Sequence, residues 1–226
     1  MPSTRAPRAR SSAVNKAAKA GDGSKKIWII AGVVVVIAFA GVMAIALAGE
    51  DTASDVHDSQ TADVGVDGDS VPVANPDDPT AAAGTPAPEL TGTSLTGEPM
   101  TIANDGTPRV IGFFTHWCQF CQAEVPEVSD WWNAGNAPDD VEVVAVNTSV
   151  QRTSGNYPPT DWYEREDWNV PTLLDDGVDS ASRAYGLSGY PYWVVVDAEG
   201  QVLYQRSGQI GISELERLID LARTGV

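Results

Sequence analysis

Cys118 and Cys121 are the only two cysteines among 226 residues, separated by Gln119 and Phe120. A C-x-x-C pair can exchange dithiol for disulfide, supply half of a metal site, or close a small structural bridge. Position separates these uses. The run Thr115-His116-Trp117-Cys118 follows directly on Val110 to Phe114, a short apolar stretch that reads as a buried strand. A helix is expected from Cys118 to Asn133, kinked by Pro126. At a helix N-terminus, unpaired N–H groups and the helix dipole favour a thiolate at Cys118. The i, i+3 spacing brings Cys121 onto the same face, a turn deeper. Such a pair suits attack on a substrate disulfide by the first sulfur and resolution by the second.

The other two uses fit less well. A bridge closing a loop of about four residues constrains the unfolded chain by only about 2 kcal/mol. A metal site needs further ligands, and two cysteines and two histidines exclude a Cys₄ zinc site and a disulfide scaffold. Only His116 stands near the pair. A soft ion such as Cu(I) on Cys118, Cys121 and His116 is therefore the alternative of another class, a copper metallochaperone. His116 is expected either to add a cation that favours the thiolate or to point outward. His57, among Asp55 and Asp58, reads as a solvated histidine.

The remaining elements follow from periodicity. Strands are expected at Val141–Val146, Thr172–Leu174, Tyr192–Asp197 and Val202–Ser207, the last two forming a hairpin across Ala198 to Gln201. Helices are expected at Pro159–Trp168 and Asp179–Tyr185, with a last one opening at a Ser213/Glu216 capping box. Strands separated by helices, then a terminal hairpin and helix, imply an α/β domain with a central mixed sheet covered on both faces. The tryptophans at 131, 132, 162, 168 and 193 read as packing groups.

The net charge of −17 argues against nucleic acid as a partner. Yet residues 1–26 hold seven basic side chains against one acid, and the rest of the chain has seven Arg and no Lys. Ile27 to Ala48 is 22 uncharged apolar, Gly or Ala residues. As a helix it would span roughly 33 Å, enough to cross a bilayer core. The expectation is a basic cytoplasmic tail (1–26), a single transmembrane anchor (27–48), a disordered acidic linker (49–85) and an extracytoplasmic domain (86–226). A cleaved signal peptide ending at Ala46-Leu47-Ala48 is the rival reading. It leaves the domain on the same side of the membrane.

In combination, these residues resemble a known family. Trp117-Cys118-x-x-Cys121-x-x-Glu124-x-Pro126 is similar to the active-site segment of membrane-anchored, extracytoplasmic TlpA/ResA-type thiol-disulfide oxidoreductases. Ala87-Pro-Glu-Leu90 with Leu95 to Pro99 resembles that family's entry hairpin. Tyr185 to Gly200 resembles its cis-proline segment and following hairpin. The resemblance implies a thioredoxin fold with an N-terminal β-hairpin extension and a helical insertion, here about 151–171. It implies that Cys118 is the nucleophile, Cys121 the resolving thiol and Glu124 a proton-transfer group. Trp117, Tyr190 and a cis Pro191 would contact the substrate, with the Tyr190 backbone pairing to an extended segment. Gln119-Phe120 lacks the proline common between the cysteines, Tyr190 and Tyr192 are bulky neighbours for Pro191, and His116 replaces a smaller residue.

The resemblance implies a thiol-disulfide oxidoreductase without a bound cofactor, acting on exported proteins in the reducing direction, for example on apocytochrome thiols in cytochrome c maturation. A membrane thiol-disulfide partner would recharge it. A disulfide-forming oxidase is the alternative direction.

Overall fold

In the computed structural model, which describes residues 60–225, the chain order is β1 (Gly65–Asp67), β2 (Glu89–Thr93), β3 (Pro99–Ile102), β4 (Arg109–Phe114), α1 (Gln119–Asn133), β5 (Glu142–Asn147), α2 (Pro159–Arg165), β6 (Thr172–Leu174), α3 (Ser180–Ala184), β7 (Tyr192–Val196), β8 (Val202–Ser207) and α4 (Ile212–Thr224). Five strands form one sheet in the order β6-β5-β4-β7-β8, and β1-β2-β3 form a small antiparallel one. β4 is the centre of the larger sheet. It pairs in parallel with β5 and antiparallel with β7, so every residue of Arg109–Phe114 is buried.

The alternation of side chains across β4 sorts the core into two layers. Val110 and Phe114, with Val143, Ala145, Trp193 and Val195 of the neighbouring strands, face α1, α2 and α4. Ile111 and Phe113, with Val144, Val146, Tyr192 and Val194, face the opposite layer. Gly112 shares the face of Val110 and Phe114, where a Cβ would come within 2.7 Å of the Phe114 ring and 2.9 Å of Trp193.

The second layer corrects the reading of residues 49–85 as a disordered linker. From Gln60 onward the segment is built into the domain. β1 pairs with β2, and Val71, Ala74 and Ala82 are buried beside α3. The strap runs along β8: Gly84 N–H donates to Val202 O at 2.9 Å, and the Gln205 N–H donates to Pro79 O at 2.8 Å. A few small apolar side chains and many backbone bonds replace the apolar periodicity that the segment lacks, and they cover an open sheet edge. Gly186 permits the contact. Its φ is 68°, and a Cβ would stand 2.3 Å from Pro72 O.

The start of α4 is a second correction. Ser213 does not cap it; the N-cap is Gly211, without a side-chain cap bond. Pro126 lies within α1 without ending it. Among the described residues no helix is long and apolar enough to cross a membrane. The expected tail, the anchor at 27–48 and the linker up to residue 59 lie outside the described residues.

Candidate active site

The parallel strand β4 delivers the chain to the N-terminus of α1, and Cys118 is the N-cap, with extended backbone angles (φ −79°, ψ 122°) and no side-chain cap. The side chain of Cys118 thus sits at the positive end of the α1 dipole without a hydrogen bond to a first-turn N–H. Cys118 is half-buried and Cys121 fully buried, both as free thiols. The Cys118 thiol donates to the Tyr190 carbonyl at 3.7 Å, and the Tyr190–Pro191 peptide bond is cis. The sulfur thus lies against the loop that enters β7, next to buried Pro191.

Cys121 packs in the layer formed by Phe114, Tyr163, Trp168 and Trp193. Burial in this aromatic surround pushes its thiol far up, and the nearby Cys118 and Glu124 add to the shift. Glu124 is also fully buried. Its Oε1 accepts the N–H groups of Ile210 (2.7 Å) and Gly211 (3.1 Å), and its Oε2 accepts Trp193 Nε1–H at 3.2 Å. Burial still outweighs these donors, so the carboxyl sits above its ordinary pKa. The same bonds take up N–H groups at the entry to α4, the place where Ser213 was expected to act.

His116 meets neither expectation. It is fully buried. Its Nδ1 lies 2.7 Å from Gly155 O, which can only accept, so Nδ1 carries the proton; its Nε2 accepts the Gln151 N–H at 3.1 Å. Both nitrogens are used, the ring is neutral, and burial lowers its pKa. The copper reading accordingly loses its third ligand. Among the described residues no cluster of three or more metal-ligating side chains occurs.

Around this centre Trp117 donates through Nε1 to Ser149 O at 2.8 Å and sets its ring edge-on to Tyr190, centroids 5.6 Å apart. Phe120 is 50% exposed. The structure therefore brings Trp117, Cys118, Cys121, Glu124, Tyr190 and Pro191 into one region. Sequence reasoning missed the floor beneath it. Buried Asp175 accepts from Thr148 Oγ1 (2.8 Å) and from the Ala181 (2.8 Å) and Ser182 (3.1 Å) N–H groups. Ser149, with a φ of 53°, accepts from Trp117 and Thr115. Asn147-Thr-Ser reads from sequence only as the end of a strand, and no motif marks it.

Comparison with known proteins agrees with this architecture. The Redoxin family model matches residues 82–219. The soluble secreted antigen MPT53 of Mycobacterium tuberculosis is 42% identical over 145 residues, 61% of this chain and 76% of that protein. The sporulation thiol-disulfide oxidoreductase A of Bacillus subtilis is 23% identical over 123 residues, 54% of this chain and 73% of that protein. Among solved structures, a thioredoxin-family thiol:disulfide interchange protein from Chlorobium tepidum superposes with a TM-score of 0.52 at 22% identity, covering 62% of this chain and 97% of that one. With its paired cysteines at the strand–helix junction of a thioredoxin-like fold, the chain belongs to the Redoxin family and is a thiol-disulfide oxidoreductase.

Proposed function

We propose that the chain is a TlpA/ResA-type enzyme, anchored through residues 27–48, that reduces disulfides of exported proteins outside the cytoplasm, those formed between apocytochrome cysteines being one such substrate class. The observation that carries the chemistry is the seating of the half-buried Cys118 sulfur on the Tyr190 carbonyl while Cys121 is sealed beneath.

The Cys118 thiolate attacks one sulfur of the substrate disulfide. The substrate S–S bond breaks, its other sulfur leaves as thiolate and takes a proton, and a mixed disulfide forms. Cys121 then gives its proton to the Glu124 carboxylate and attacks the Cys118 sulfur. The second substrate thiol leaves, and the enzyme holds the Cys118–Cys121 disulfide. Two electrons from a membrane thiol donor restore it. The location is supported by the apolar run Ile27 to Ala48 and by the secreted relative. The reducing direction is supported by the likeness of Trp117-Cys118-x-x-Cys121-x-x-Glu124-x-Pro126 to the active-site segment of TlpA/ResA-type enzymes.

The test of direction is the reduction potential of the pair in the full chain, equilibrated in dithiothreitol or glutathione buffers. The expected value is below about −200 mV, and one near about −120 mV would mean an oxidase instead.

A further inference from the structure

The turn bearing Cys118 is bonded to one other segment at five points. Thr115 Oγ1 (3.2 Å) and Trp117 Nε1 (2.8 Å) donate to Ser149 O. His116 Nδ1 donates to Gly155 O (2.7 Å), and its Nε2 accepts from Gln151 N–H (3.1 Å). Asn156 Nδ2 donates to His116 O at 3.3 Å, an oxygen that also accepts from Gln122 Nε2. Tyr157 sets its ring edge-on to the imidazole, centroids 6.1 Å apart.

The loop so held has its outer side in solvent: Gln151, Arg152, Thr153 and Gly155 are exposed. Exposed loops ordinarily carry a solvated, mobile backbone. This one is fixed from below by a buried ring whose two nitrogens both bond loop backbone. A packing role alone would need only volume, which Phe or Leu supplies without a polar group to satisfy. The two directed bonds fix position. Trp117, whose indole is held by the same segment, stands between the loop and Tyr190. The cysteine turn is thus tied on one side to residues 149–156 through Thr115, His116 and Trp117, and on the other to the cis-proline loop through the Cys118 thiol and the Trp117 ring.

We propose that the loop Gln151–Tyr157 is one wall of the groove that receives an extended polypeptide beside Cys118, and that His116 is the positioning residue that holds this wall, selecting disulfides within protein segments over small disulfides. The inference rests on the exchange activity proposed above. A small disulfide needs only the exposed part of one sulfur. A chain lying on the Tyr190 carbonyl advances about 3.3 Å per residue and must pass whatever stands beside Trp117.

The experiment uses the full-length protein and its His116→Phe and His116→Asn variants, with insulin as the polypeptide disulfide and 5,5′-dithiobis(2-nitrobenzoate) as the small one. For His116→Phe, reduction of insulin is expected to fall about tenfold through KM, with the small-disulfide rate held within about twofold. His116→Asn, which keeps a donor near the Nδ1 position, is expected to recover part of the loss. Parallel losses on both substrates, or no loss on either, would overturn the proposal. A wild-type protein inert toward both would instead remove the exchange reading on which it rests.

Discussion

Glu124 answers to three N–H donors and still lies above its ordinary pKa, because the cost of burying a charge exceeds what the donors return. The sign has two consequences. A carboxyl whose pKa is raised on folding holds its proton more tightly in the folded state. Its contribution to stability is therefore full below the ordinary value of 4.5 and is lost as pH rises through the folded pKa. Urea unfolding of the reduced protein should show stability declining from about that value upward, and Glu124→Gln should flatten the decline. In the proposed mechanism the same substitution removes the acceptor for the Cys121 proton. Resolution of the mixed disulfide, followed by quenched-flow, is expected to slow by about 10²-fold, the low end of a general-base contribution. The residues of this chemistry were legible in the sequence because cysteines at a strand–helix junction are few and ordered. The orientation of His116 was not, since one residue between a strand and a helix belongs to no period and its partners lie 35 and 39 positions away.

The element that presents Tyr190 depends on a cap which periodicity does not reveal. Asp179 occupies the N-cap of α3 in a left-handed conformation (φ 61°) and makes no cap bond to it. Asp175, at the end of β6, does that work through the Ala181 and Ser182 N–H groups while also holding Thr148. Asp175→Ala would leave the Ala181 and Ser182 N–H groups without an acceptor. The expected loss is about 2–3 kcal/mol, read as a lower urea midpoint at unchanged slope. The start of α4 teaches the same lesson. The Ser213/Glu216 spacing suits a local capping box, but Glu124 of α1 takes the Ile210 and Gly211 N–H groups. A tertiary carboxylate overrides the local signal. Elements with strong apolar runs, β4, β5, β7 and β8, were placed from sequence to within a residue or two.

For the whole molecule, composition misled where polar residues conceal a few buried ones. The strap from Gln60 to Thr85 is rich in Asp, Thr, Gly and Pro, yet Val71, Ala74 and Ala82 close the second core layer and the backbone seals the β8 edge. A chain beginning at residue 86 should therefore be less stable than one beginning at residue 60 by about 3 kcal/mol or more, on the burial of these side chains alone. Equal urea midpoints would show the strap to be dispensable. The central claim is that Cys118 makes the covalent bond to substrate and Cys121 breaks it. Its most direct measurement is capture by the full-length Cys121→Ser protein of a disulfide-containing polypeptide, followed by mass mapping of the adduct. The expected result is a reductant-sensitive mixed disulfide through Cys118 that accumulates because nothing resolves it. Insulin reduction persisting in Cys118→Ser, with no adduct in Cys121→Ser, would contradict it.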